Sequence, residues 1–381
     1  MAQSLIRLMV IIAFGSFITV ALRSLAIIAR SSKAWSGSFV VTGFLLVCLA
    51  AIGTLAFYYA LKKLAPFVDA SAQAQARFLD TLNAKYADAA ILFAAPLSLF
   101  LELCIIRWQS SVLPFFAFYK NFSLLTCFVG LGLGYALAAR DRIPLVIVLP
   151  LLAWQFSFMT IVRYGLGIDL KTIPFREQLT MGMNVGSLSQ ILLLYGLLAI
   201  VFLITALTFM PIGQLCGRLM ERRTKLRAYG LNLLGSLLGV VLMLVASFLW
   251  TPPLAWFALC FLAILLFTLK TPPLMIVGLS FTVVCTIVLA WPVNVLWNRV
   301  YSPYQLLEIG RGEDTGLTLI NAAGNFYQKI YDLSDAQSMR WSKIRDYYDF
   351  PYKVHSTLAN VAIVGAGTGN DVAAALRSGA E

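Results

Sequence analysis

The chain has 381 residues, of which 60% are hydrophobic and 12% charged, and its formal net charge is +12. A soluble domain is about 45–50% apolar and roughly 25% charged, so this composition excludes an ordinary water-facing fold and makes the bilayer the fitting solvent. On a soluble chain the basic excess would raise nucleic acid as a partner. Here many basic residues lie in short links between apolar blocks, such as Arg218, Arg222, Arg223, Lys225 and Arg227. They read as topology signals and lipid headgroup contacts, and no nucleic-acid partner is expected.

In chain order, apolar blocks of spanning length fall near 8–28, 38–60, 89–106, 122–139, 143–162, 187–212, 229–250, 253–269 and 273–291. A helix needs about 20 such residues to cross, so the pattern predicts an α-helical multi-pass bundle of eight or nine spans over 1–292. Arg23 interrupts the first block, and 229–250 is free of charge. Between the second and third blocks, the polar segment 62–88 is predicted to form an amphipathic helix at the membrane surface. Small residues recur at four-residue spacing in Gly130/Gly134, Gly213/Gly217 and Gly235/Gly239, a device that lets helix backbones approach closely in lipid. Glu102 is an intramembrane carboxylate, costly unless used or paired, and Arg107 or Lys120 is its expected partner. The six cysteines form no CxxC pair and His355 is the only histidine, so no metal site is expected.

After Trp291 the charge and turn content become ordinary, which places a domain boundary near Pro292. Residues 293–354 read as a β-hairpin region: LLEI, GLTLI and FYQKIYDL alternate with glycine-containing turns. Residues 355–381 then read as the start of a Rossmann-like α/β domain. In that reading 360–364 is a buried strand, Asp371 opens an Ala-rich helix, and Gly365, Ala366, Gly367, Thr368 and Gly369 form the turn between them. Such a turn lets a ligand approach the backbone with amide groups aimed at it. The dinucleotide fingerprint asks for a third glycine or alanine where Asn370 stands. The spacing fits the first motif of S-adenosylmethionine-dependent folds instead.

On these segments the chain resembles bacterial membrane proteins that fuse a multi-span region to a spermidine-synthase-like domain. In the membrane part the resemblance rests on 102–134 and on 229–239 (YGLNLLGSLLG). In the soluble part it rests on SPYQ at 302–305, NFYQ at 325–328, YYDFPY at 347–352 and the glycine turn. It implies a bacterial inner-membrane location, a cytoplasmic soluble domain, and S-adenosylmethionine or its decarboxylated form as substrate. Gln305 and Gln328 correspond to the glutamines that contact the nucleoside ligand, Tyr347 to an acceptor-side tyrosine, and the turn with Asp371 to the adenosyl site. Thr368 stands where the soluble enzymes carry an aspartate for the amine of the decarboxylated ligand, a departure that bears directly on aminopropyl transfer.

Three functions follow as expectations. The first is polyamine-type aminopropyl transfer to a small-molecule amine. The second is methyl transfer to a lipid-linked acceptor, favoured by Thr368, and the third is transport with a nucleoside-binding regulatory domain. A doubly wound domain needs several more strand–helix units, roughly 100 residues or more. The chain is therefore expected to be a fragment that binds the nucleoside weakly, with strand 360–364 lacking neighbours and its catalytic groups beyond Glu381. Nine crossings would put the basic link 218–227 opposite the C-terminal domain; one crossing fewer would put both in the cytoplasm.

Overall fold

The computed structural model describes residues 3–31, 37–139, 142–167, 188–293, 296–312, 316–334, 340–355 and 360–380. The chain divides into two compact units, Met1–Val293 and Asn294–Glu381.

The first unit is helical: α1 (Gln3–Ser31), α2 (Gly37–Thr81), α3 (Ala84–Val112), the short α4 (Pro114–Phe118), α5 (Lys120–Ala136), α6 (Val148–Thr160), α7 (Leu188–Met220), α8 (Lys225–Phe248), α9 (Pro253–Leu266) and α10 (Pro272–Ala290). Helix is the natural outcome for apolar runs in lipid, where every backbone group must find its partner within the protein. Among the described residues, seven helices are long and apolar enough to cross a membrane. The expected eight or nine spans are therefore not shown among these residues. α5 has 17 residues and α9 has 14; at 1.5 Å per residue they reach about 25 and 21 Å, short of a hydrocarbon core of about 30 Å. The start of the sixth expected span, at 187, lies outside the described residues.

The segment 62–88 is not a separate surface helix. Residues up to Thr81 continue α2, and Asn83 caps α3 by accepting the Lys85 N–H. Ser71, Ala72, Gln75, Ala76 and Leu79 are buried along one stripe, so this stretch packs on the bundle rather than lying free on the membrane. Arg23 does not break α1 either, since its Nε donates to Leu166 O at 3.2 Å.

All three glycine pairs sit at helix contacts. A Cβ at Gly130 would collide with Ala206 O and Phe209 Cβ, and one at Gly134 with Met210 O and Gly213 Cα. Gly217 lies against Ala138, so α5 and α7 run parallel at backbone contact. Gly235 and Gly239 receive Ala95, Pro96 and Phe100 in the same way, which makes α8 parallel to α3. Pro96 has no N–H for Leu92 O, and that freed carbonyl lies 3.5 Å from the Cβ position of Gly235. The centre is aromatic: Trp108 of α3, Phe156 of α6 and Phe257 of α9 meet at 4.6 and 4.7 Å between successive rings.

One end of this bundle collects the turn between α2 and α3, the link between α5 and α6, and the link between α7 and α8. Four arginines there are engaged by the protein itself. Arg218 donates to both oxygens of Asp80 at 2.8 Å, Arg222 to the carbonyls of Leu79 and Leu82, and Arg223 and Arg227 to Asp88. Gln75 and Gln214 accept the N–H groups of Leu145 and Ile143.

The second unit is a four-stranded antiparallel meander, β1 (Trp297–Tyr301), β2 (Leu306–Arg311), β3 (Thr318–Ala322) and β4 (Asn325–Ile330), followed by α11 (Ser342–Val354) and α12 (Asn370–Arg377). β2, β3 and β4 coincide with the three alternating segments; β1 is additional. Ala323 and Gly324 both have positive φ, 50° and 77°, the pairing a tight hairpin with the right twist requires. The expected strand at 360–364 is absent: those residues are irregular, and Val364 is 99% exposed. A strand exists by its ladder, and the meander closes on its own order without admitting this segment. Of the expected Rossmann-like start, a turn and a helix are present among the described residues, and no parallel sheet.

Candidate functional site

β4 is one of the two outer strands of the meander, so one row of its backbone groups faces away from the sheet. Asn370, 3% exposed at the start of α12, occupies that edge. Its Nδ2 donates to Lys329 O at 2.9 Å, and its Oδ1 accepts the Tyr331 N–H at 3.4 Å. One carboxamide thus offers the donor and acceptor that a further strand would supply. The same Nδ2 donates to Tyr348 Oη at 3.3 Å, tying α11 to the junction. Arg377 of α12 donates to Asp349 of α11 at 2.7 Å.

With α12 anchored, the glycine turn lies over the end of β4. Gly365, Gly367 and Gly369 have φ of 74°, 52° and 82°, and Gly369 caps α12. These left-handed values suit glycine. Gln328 Oε1 accepts the Thr368 N–H at 2.9 Å, and a Cβ at Gly367 would run into that same oxygen. Gly367 therefore has two independent reasons to lack a side chain. No family model, curated protein or solved structure matches the chain. What the site can do rests on its geometry.

The structure brings together Gln328 with Gly367 and Thr368, and places Ala366 and Asp371 on either side of them. Ala366 O accepts the Gly369 N–H at 2.8 Å, which closes the turn, and Asp371 stands in the first turn of α12. Thr368 Oγ1 is buried without a hydrogen-bond partner. Gln305 is not brought to this place. It is exposed in the turn between β1 and β2, with its N–H on Ser302 Oγ. The register aligns Gln328 with Ile320 and Ile309. Gln305 is thus two strands across and four residues along, roughly 16 Å away at ordinary sheet spacings. Tyr347 points outward and is 74% exposed. Its neighbour Tyr348, about 100° round the helix, is the tyrosine that reaches Asn370. Neither Tyr348 nor Asn370 carries a spacing signal; their roles depend on which edge of the meander is free.

The membrane unit holds a second polar group of residues. Gln109 of α3 and Gln155 of α6 both donate Nε2 to Thr205 Oγ1 of α7, at 3.1 and 3.0 Å, while their own Oε1 atoms are buried without partners. Glu102 is 2% exposed and has no ion pair among the described residues. The expected pairing with Arg107 does not form: Arg107 donates to Ser247 Oγ and lies over Trp256 at 4.5 Å. Five residues along a helix turn a side chain about 140° away, which separates these two.

Proposed function

We propose that the protein is a membrane-bound, spermidine-synthase-like transferase in a bacterial inner membrane. Its C-terminal unit, on the cytoplasmic side, would take S-adenosylmethionine or the decarboxylated form. The observation that carries this reading is the hydrogen bond of Gln328 to the Thr368 N–H. It seats a three-glycine turn over the end of β4, directly before the N-terminus of α12. Such a turn offers backbone amides to a polar ligand portion at close range. The reaction would be displacement at a carbon on the sulfonium by an acceptor amine, which depends on positioning and on a base for the amine proton.

Thr368 supports methyl transfer to a lipid-linked acceptor as a second reading, because a neutral hydroxyl stands where a carboxylate would fix an ammonium group. Transport, with the C-terminal unit as a nucleoside-binding regulator, draws support from Glu102 and the glutamines around Thr205. The test is titration of the protein, expressed to the natural stop codon of its gene, with S-adenosylmethionine, its decarboxylated form and ATP. Binding of either sulfonium nucleoside, lost in Gly367→Val and in Gln328→Leu, is the expected result. Thr368→Asp should shift preference toward the decarboxylated ligand. Binding of neither sulfonium nucleoside, or equal binding by Gly367→Val, would remove the transferase reading.

A further inference from the structure

α11 carries two faces. The inner one holds Arg345, Tyr348 and Asp349, engaged with one another and with α12. The outer one presents Tyr347, Phe350, Pro351 and Val354, at i, i+3, i+4 and i+7, which is a single apolar stripe about 100° wide. Its large members are 74%, 63% and 60% exposed at Tyr347, Phe350 and Val354. Water is a poor solvent for such a stripe, and the charges beside it indicate a different one. Arg340, Lys343 and Lys353 are exposed around it against one acid, Asp346, which Lys353 Nζ meets at 2.6 Å. The excess is cationic, as anionic headgroups would favour.

The chain also limits how far this helix can stray from lipid. The apolar helix α10 ends at Ala290, Trp291 is 62% exposed, and β1 begins at Trp297. Six residues reach at most about 20 Å when fully extended, so only a short length of chain separates the last apolar helix from the unit that contains α11. An aromatic stripe edged by lysines is the composition of helices that lie in that boundary.

We propose that α11 is an interfacial helix. Tyr347, Phe350, Pro351 and Val354 sit among the headgroups and upper acyl chains of the membrane that holds α1 to α10, and Lys343 and Lys353 face lipid phosphates. The surface stands on exposure, charge and tether, independently of what the glycine turn binds.

The experiment uses the whole protein in nanodiscs of phosphatidylethanolamine and phosphatidylglycerol, with Cys48, the least buried of the native cysteines, replaced by serine. Spin labels are placed at Phe350→Cys, Val354→Cys and, as a water-exposed reference, Arg311→Cys. Collision with oxygen, which partitions into lipid, is compared with collision with a water-soluble nickel chelate. The labels at 350 and 354 should favour oxygen, with the ratio reversed at 311, and Phe350→Glu should return the label at 354 to the nickel-accessible state. A label at 350 that meets nickel as freely as the one at 311 would show a water-facing helix and overturn the proposal. Labels closed to both reagents would also overturn it, by showing that protein, from a second copy or another segment, covers the stripe.

Discussion

At Asn370 a single side chain stands in for a missing strand neighbour. Its carboxamide satisfies Lys329 O and the Tyr331 N–H, and it reaches Tyr348 as well. Leucine has a similar volume and none of this chemistry. Asn370→Leu should therefore remove the bonds made to Lys329 O and to the Tyr331 N–H at the end of β4, and a buried backbone group left without a partner costs about 1–3 kcal/mol. Hydrogen exchange at the Tyr331 amide should accelerate, with the amides of β1 and β2 unchanged. Unchanged exchange at Tyr331 would mean that the bond contributes nothing to holding this edge. The sequence marks position 370 only by a mismatch to a dinucleotide fingerprint; the reason for asparagine appears once the free edge of β4 is known. Gln328 was legible through its place beside a glycine turn, whereas Gln305 could be separated from that turn only by the strand register. Tyr347 and Tyr348 are adjacent in sequence but lie on different faces, a distinction that requires knowing that the segment is helical and which face packs.

Among elements, the glycine pairs were readable because lipid removes the hydrophobic drive for helix association and leaves close packing to supply it. α5 supplies a test with its own control. Gly134 faces the backbone of α7, while a Cβ at Gly132 meets nothing within 4 Å. Gly134→Ala should separate α5 from α7 and cost about 1–3 kcal/mol or more, as overpacking does. Gly132→Ala should be neutral or stabilising by up to about 1 kcal/mol, through helix propensity alone. Thermal unfolding in detergent, followed by size-exclusion profile, reads both. Equal loss in the two variants would refute the contact. Element ends were harder to read than element kinds. The polar stretch after Lys62 looked like a separate surface helix because its charges mask the stripe from Ser71 to Leu79 that packs inward. The segment 360–364 looked like a strand because it is apolar and bounded by turns. A ladder is a property of two strands, and composition reports only one of them.

For the whole molecule, helix direction and charge impose opposing demands. α5 runs parallel to α7 and α8 to α3, while Gly43 against Leu25 and Gly53 against Phe17 make α1 and α2 antiparallel. Gly278, early in α10, lies on Val146 and Leu149 at the start of α6. α10 therefore begins at the bundle end that holds Arg218, Arg222, Arg223 and Arg227, and it finishes at the other. Counted as topology signals, those arginines would place their end in the cytoplasm and send the chain after Ala290 to the opposite compartment. A sulfonium nucleoside made in the cytoplasm asks for the reverse. The arginines have a structural use that does not depend on compartment, since they hold Asp80, Asp88 and the carbonyls of Leu79 and Leu82 at the turn after α2. Their clustering is explained even if the second unit is cytoplasmic. Tyr304, 84% exposed in the turn between β1 and β2, is the place to decide. In cells expressing Tyr304→Cys with Cys48 replaced by serine, a membrane-impermeant maleimide should react only after the inner membrane is permeabilised. Labelling in cells whose inner membrane is intact would put the second unit outside the cytoplasm, and the proposed nucleoside chemistry would fall with it. In that case the buried Glu102 and the glutamines around Thr205, rather than the glycine turn, would be the part of this protein to test for function.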